Sequence, residues 1–266
     1  MSLPVILQEY FSRKTGQDYK IGFLKKIILI LKMIRNNRKI PTASDVIEHL
    51  TMASKILSIP KTLAGCVVEC GTYYGASAAN LSLVCALVGR NLEISDSFEG
   101  LPKPKLKDKV HTILDRGELH SYFQSSWSVN IAQVEKNISK YGEIQVCNFN
   151  VGYFAKTLPV FDKKCVFIFL DVDLVDSVKT CLKYLWPKLA NNCYLFTHEA
   201  HHAEIASLFF DKTWWQKNLK TSAPGLVGAG SGLGLVPEAG AFKSSIGYTV
   251  KNPKIGKFKI EHQTGK

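Results

Sequence analysis

The sequence predicts an α/β fold, a mostly parallel β-sheet with helices on both faces, preceded by a helical N-terminal extension. Three observations carry that expectation. Short apolar runs, "CVVECG", "LEISDSF", "IQVCNFN", "CVFIFLDVD" and "CYLFT", alternate with helix-like segments, which is the order of a parallel sheet with crossover helices. The run before Thr197, and others like it, are apolar enough to be covered on both faces. Several runs end in glycine or a carboxylate, at the strand ends where open sheets of this Rossmann-like kind bind ligands.

The 266 residues, 46% of them hydrophobic, suffice for one substantial core and are short for two full domains. The expected division is a helical extension over residues 1–59 and one domain over residues 60–266, parted at "IPKTLAG". Within the extension, the apolar run Ile27 to Leu31 falls far short of the roughly 20 residues of a membrane span. Phe23, Leu24, Ile27, Ile28, Leu31 and Ile34 form one helical stripe, with Lys25, Lys26, Lys32 and Arg35 mostly off it. It reads as a helix that packs on the core or on a second copy in a homodimer, or as one lying on a membrane surface. The start, "MSLPVILQEYFSRK", lacks the charged region and long apolar core of a secretory leader. Seven cysteines without a C-x-x-C pair read as reduced thiols, so a cytoplasmic location is expected.

The net charge of +12 suits anionic partners, including nucleotide-linked substrates, RNA or acidic lipid. No RRM or KH signature is visible and aromatics do not interleave with the basic runs, so no specific nucleic-acid partner is expected. The glycine-rich segment 225–241 reads as a mobile loop, and segments 103–130 and 213–245 as lids.

The chemistry concentrates at the strand ends. In Glu69-Cys-Gly71-Thr-Tyr-Tyr-Gly75, glycines permit a tight turn and close approach of a cofactor, and Glu69 can receive a cationic group. The acidic head and the missing Lys-Ser/Thr favour a cofactor without bound phosphates. Asp96, about 25 residues after the first glycine, can take both hydroxyls of a ribose. Asp171 and Asp173 in "FIFLDVDLVDS" point the same way on an extended chain and would repel unless a cation or proton intervenes. Asp173 or the nearby Asp176 reads alternatively as a cap of the helix "SVKTCLKYLW". Finally, His198, Glu199 and His202 spell H-E-x-x-H, a zinc protease motif if helical. The apolar run before it instead places His198 and Glu199 at a strand's end.

The segments "VVECGTYYGASAANL", "DSFEGLP", "GYFAKTLP" and "FIFLDVDLVDSVKTCLKYLWPKL", in this order over about residues 60–200, resemble the class I S-adenosylmethionine-dependent methyltransferases, most closely the macrocin-type O-methyltransferases. The resemblance implies a seven-stranded sheet, with Glu69, Gly71 and Gly75 around the methionine portion of the cofactor and Asp96 on its ribose. Thr72, Tyr73, Ser77 and Ser97 complete the expected cofactor contacts. It also implies a divalent metal held by Asp171 and by two adjacent residues ending the next strand, usually Asp-Asp or Asp-Asn. Here those positions are His198 and Glu199, a change that would shift preference from magnesium toward manganese, iron or zinc, or mark a site that has lost its metal.

The implied reaction is methyl transfer to a hydroxyl of a sugar, glycan or other small-molecule acceptor. A metal at Asp171, His198 and Glu199 would lower the acceptor's proton affinity, while His120, His201 or Asp173 would act as general base. Trp127, Trp214 and Trp215 are candidates to stack on a sugar. The alternatives are a catalytically silent cofactor-binding homologue, a peripheral membrane or polysaccharide-associated protein, and, remotely, the metalloprotease.

Overall fold

The structure, a computed structural model, describes residues 5–112, 118–228 and 246–253. Its main sheet contains β1 (Cys66–Cys70), β2 (Leu92–Asp96), β5 (Cys147–Val151), β6 (Cys165–Leu170), β7 (Leu189–Thr197) and β8 (Gly247–Val250). Their order is β5-β2-β1-β6-β7-β8. The first five strands in that order are parallel, and β8 runs antiparallel to β7. The Rossmann-like sheet is therefore present, with six strands among the described residues in place of seven. A separate antiparallel pair, β3 (Val110–Thr112) and β4 (Glu118–His120), lies outside it.

Two strands differ from their sequence reading. β5 starts at Cys147 because Ile144–Val146 winds into a 3-10 turn. β7 reaches back to Leu189 and includes Asn191 and Asn192, ahead of the apolar run "CYLFT". Asn192 adopts a left-handed φ of 61°, and the pairing with β6 slips between Cys165 and Phe167; asparagine tolerates that conformation inside an irregular strand.

The chain moves from β1 outward to β2 through α4 (Ala76–Val88), and from β6 the other way to β7 through α7 (Val175–Leu185). Right-handed crossovers in opposite directions put these helices on opposite faces. Nearly every residue of α4 is buried, because α2 (Phe23–Lys39), α3 (Val46–Leu57) and α5 (Ile131–Tyr141) pack over it. This explains why α4 is apolar all round.

The N-terminal helices share the core of the sheet domain: Tyr10, Met33, Met52 and Ile56 are fully buried with strand residues in one cluster. A polar network seals the contact. Asn36 donates to Asn80 Oδ1 at 2.9 Å and to the Tyr141 carbonyl at 2.9 Å, and Asn80 donates to Asn37 Oδ1 at 2.9 Å.

The stripe read on α2 requires correction. Phe23, Leu24, Ile28 and Leu31 are exposed, at 63%, 75%, 54% and 61%, whereas Lys26, Leu29, Met33 and Asn36 face inward. Lys26 is tolerated there because its Nζ donates to the Ser12 carbonyl at 2.8 Å, a polar tip on an apolar stem. Among the described residues no helix is long and apolar enough to cross a membrane.

All seven cysteines are free thiols, six of them buried and Cys147 half-buried. Trp215 is also a core residue, fully buried with its indole N–H donating to the Leu208 carbonyl at 2.9 Å, and so has no face left for a sugar. The glycine-rich loop reading falls largely on residues 229–245, outside the described residues.

Candidate active site

The direction of strand addition reverses between β1 and β6, so their carboxyl ends frame the crevice where a ligand is expected. Gly71 stands there at φ 82°, and a Cβ added to it would lie 1.8 Å from the Asp171 carbonyl oxygen. The two strand ends touch because residue 71 has no side chain. Gly71 N donates to Ser95 O at 3.0 Å and Asp171 N to Cys70 O at 2.9 Å, which fixes β2, β1 and β6 at one level.

From this junction the chain turns through Tyr73, at φ 48°, to Gly75, the left-handed N-cap of α4. Asp96, ending β2, accepts from Thr72 N on one oxygen and from Phe98 N on the other, each at 2.8 Å. Each oxygen keeps a second lone pair for a ligand hydroxyl. Burial raises the Asp96 pKa, against the pull of these amides. Ser97 Oγ donates to Gly100 O at 2.9 Å and shapes the turn after Asp96. Gly71, Thr72, Tyr73, Ser77, Asp96 and Ser97 all line one cavity of about 900 Å³.

Glu69 lies behind this surface, fully buried. Neither of its carboxyl oxygens has a hydrogen-bond partner in the structure. Burial pushes its pKa up to about 8, with the Ser77 hydroxyl pulling the other way and Asp171 and Asp96 adding to the rise. A buried carboxyl with no donor is the feature that a ligand's ammonium group would satisfy.

The ends of β6 and β7 build a second cluster. His198 Nδ1 stands 3.4 Å from Asp171 Oδ1 and Nε2 3.5 Å from Glu48 Oε2. Burial opposes a charge on this imidazole, yet Asp171 and Glu48 outweigh it and lift its pKa to about 10. Asp171 is raised to about 6, chiefly by burial and against the pull of His198. Glu48 belongs to the capping box of α3, where its side chain accepts from Asp45 N at 2.9 Å.

Glu199 does not reach the cavity. It is buried, one oxygen accepting from Val172 N and from Asp173 N, the latter at 2.9 Å, and the other from the Thr197 hydroxyl. These bonds hold Asp173 at a left-handed φ of 58°, a conformation that costs about 1–2 kcal/mol outside glycine.

These contacts correct two expectations. The trio Asp171, His198 and Glu199 is not assembled as ligands: Glu199 is committed to backbone amides, and both His198 nitrogens face carboxylates. Among the described residues no group of three His, Cys, Asp or Glu side chains is placed to hold a metal. These residues do not fit a divalent ion as arranged, since Glu199 is turned to backbone amides and the His198 ring itself fills the space between Asp171 and Glu48. The H-E-x-x-H string is likewise not helical. His198–His201 forms a 3-10 turn with Glu199 at φ −85°, ψ 23°, so its two histidines do not share a helical face, and its glutamate is buried away from the cavity with both oxygens engaged.

Of the expected bases, Asp173, His120 and His201 all line the cavity. Burial, with Asp171 and Glu199 adding to it, raises the pKa of Asp173 to about 8. His120 is exposed on β4 with its ring 4.6 Å from that of Tyr122. His201 Nδ1 lies 3.2 Å from the His198 carbonyl. Tyr122 and Glu48 were missed from sequence. The Asp45 and Glu48 pair has capping-box spacing and was findable as such, but nothing local links Glu48 to His198.

Together, a parallel sheet of reversed strand order, a glycine turn and acidic groups at the ends of β1, β2 and β6 form a crevice of the kind in which α/β enzymes hold an adenosyl cofactor. The model of the macrocin O-methyltransferase family (TylF) matches residues 42–221. The chain belongs to that family. The match begins ahead of the boundary expected at residue 59, and Pro41, Thr42, Ala43 and Ser44 line the cavity. A search of curated proteins gave no match. Among solved structures, the O-methyltransferase NovP is 16% identical, with a TM-score of 0.62, over 85% of this chain and 97% of that one. The calicheamicin methyltransferase CalS11 is 16% identical, with a TM-score of 0.56, over 94% of each chain.

Proposed function

We propose that this methyltransferase moves the methyl group of S-adenosylmethionine to a hydroxyl of a sugar, glycan or other small-molecule acceptor, without a metal ion. The observation that carries the reading is the shared cavity: Asp96, anchored by two backbone amides, opens into the same space as Asp171 and Asp173.

In this reading Asp96 takes the ribose hydroxyls, the Gly71–Gly75 turn and Ser77 surround the rest of the cofactor, and Glu69 answers its ammonium group. The bound cofactor supplies the reactive methyl. Asp171, held by His198, orients the acceptor hydroxyl, and Asp173 takes its proton as the new carbon–oxygen bond forms. Its pKa of about 8 predicts a rate that climbs with pH as Asp173 ionises.

The test is transfer of labelled methyl from S-adenosylmethionine to a panel of free, phosphorylated and nucleotide-linked sugars, in the presence of a chelator. Asp173→Asn should lower turnover by roughly 100-fold or more with cofactor affinity unchanged. A chelator that abolishes turnover would refute the metal-free reading, and absence of transfer to any acceptor would favour the silent homologue.

Cofactor binding should also move a proton. In the free protein Glu69 holds its proton up to a pH of about 8, whereas a bound ammonium favours the carboxylate. Near pH 7, S-adenosylhomocysteine binding should therefore release up to about one proton, and the release should vanish above the folded pKa. Calorimetry in buffers of different ionisation enthalpy measures it; heats independent of buffer would deny this role to Glu69. Without cofactor the same raised pKa works against the fold at neutral pH, because Glu69 contributes stability at low pH that is lost as pH rises through about 8.

The division into an extension and a catalytic domain is kept as a proposal, with residues 41–44 of the extension lining the cavity. A membrane-surface or homodimer contact through α2 would fall on Phe23, Leu24, Ile28 and Leu31. Seven free thiols support a reducing, cytoplasmic setting.

A further inference from the structure

The cavity is electrically two-ended. Asp96, Asp171 and Asp173, all half-buried at strand ends, line it together with the exposed Lys103, Lys105 and Lys183 and the half-buried Lys179, which place positive charge at its rim. Lys179 and Lys183 sit one turn apart on α7 and so share a face. The segment carrying the other two is stitched to the start of that helix: Lys105 Nζ lies 2.9 Å from Asp176 Oδ2 and Lys107 Nζ 2.5 Å from Asp176 Oδ1. Asp176 N in turn donates to Asp108 Oδ1 at 3.2 Å.

The carboxylates on this wall are already engaged. Asp176 is shared by Lys105 and Lys107, and the buried Asp108 accepts backbone amides of Lys105 and Asp176. Among the described residues, no carboxylate lies within ion-pair distance of Lys103, Lys179 or Lys183, and Lys183 Nζ lies over the Tyr184 ring, 5.4 Å from its centroid. Three ammonium groups without counter-ions in a concave wall focus positive potential where surface lysines scattered in water would not. Trp127 and Trp214 line the same cavity, giving aromatic surface for a ring between the two charged ends.

We propose that this lysine wall binds a phosphate or diphosphate group carried by the acceptor, so that the substrate is an activated or phosphorylated sugar rather than a neutral glycoside. The proposal rests on the methyltransferase reading, since it places the acceptor's hydroxyl inward at Asp171 and Asp173 and its anionic group outward. Lysine suits the task as a point-charge donor to phosphate oxygens. The split also sorts the two ligands: the cationic sulfonium is drawn to the acidic end and the anionic acceptor to the rim.

The test is calorimetric titration of inorganic pyrophosphate, and separately inorganic phosphate, into the full chain already saturated with S-adenosylhomocysteine. Saturable binding that weakens as salt is raised is expected. In Lys179→Glu/Lys183→Glu it should fall at least about tenfold, with S-adenosylhomocysteine affinity held within about twofold. The milder Lys179→Gln/Lys183→Gln serves as second variant should charge reversal disturb the helix. Tighter binding of pyrophosphate than phosphate would assign a diphosphate handle, and equal binding a monoester. Cofactor-loaded protein that ignores both anions, or variants that bind them as well as the parent does, would overturn the proposal. Failure of the parent to bind S-adenosylhomocysteine at all would strike the underlying reading instead.

Discussion

Replacing Gly71 by alanine is expected to abolish S-adenosylhomocysteine binding and to destabilise the fold by several kcal/mol. Two costs add. At φ 82° an L-residue loses about 1–2 kcal/mol relative to glycine. The new Cβ would also stand 1.8 Å from the Asp171 carbonyl oxygen and 2.8 Å from its carbonyl carbon. That obstacle is backbone, tied to β1 by the amide bond from Asp171 to Cys70, and it can yield only if the ends of β1 and β6 separate. Overpacking of this kind adds about 1–3 kcal/mol. Gly89→Ala is the control, because Gly89 has φ 65° with no atom within 4 Å of its added Cβ and carries only the conformational cost. Denaturant unfolding and calorimetry of both variants make the comparison. A Gly71→Ala protein as stable as Gly89→Ala, or one that keeps its ligand affinity, would show that the strand-end junction does not shape the site.

The second large effect is expected at Asp96→Asn, an isosteric change. The carboxylate accepts from Thr72 N and Phe98 N at 2.8 Å each, and bonds to an ionised group contribute about 1.5–3 kcal/mol apiece. An amide can keep one of them, but its NH₂ then faces the other backbone N–H, leaving a buried donor against a donor. The loosened turn is the one that carries Thr72 and Tyr73 along the cavity. Loss of at least about 100-fold in S-adenosylhomocysteine affinity, near 2.8 kcal/mol, is the expected outcome. A calorimetric loss below tenfold would mean that Asp96 merely ends its strand.

Much of the fold was legible because buried strands leave apolar runs, continuous in β6 and in the second half of β7 and broken by Glu69 in β1 and by Glu93 and Ser95 in β2. The cofactor half of the site was legible for a related reason: Gly71, Gly75 and Asp96 act through backbone geometry at strand ends, where spacing along the chain is spacing in the structure. The other half depends on direction, which spacing does not encode. His198 and Glu199 are adjacent in sequence, yet the 3-10 turn between β7 and α8 (Ala203–Leu208) sends one ring toward Asp171 and Glu48 and the neighbouring carboxylate under the Asp171–Asp173 segment. The α2 stripe failed for the same kind of reason. Lys26 read as lying off the buried stripe, and only its distant partner, the Ser12 carbonyl, makes its burial affordable. The lysine wall was visible only as net charge, since the segment of Lys103 and Lys105 is brought to α7 by the ion pairs of Lys105 and Lys107 with Asp176.

The bonds that Val172 N and Asp173 N donate to Glu199 tie two neighbouring strands together through one buried side chain. The left-handed backbone at Asp173 is thus supported from β7 and not by its own segment. Moving the end of β7 would therefore move the group proposed to take the proton, with no change in any residue that lines the cavity beside it.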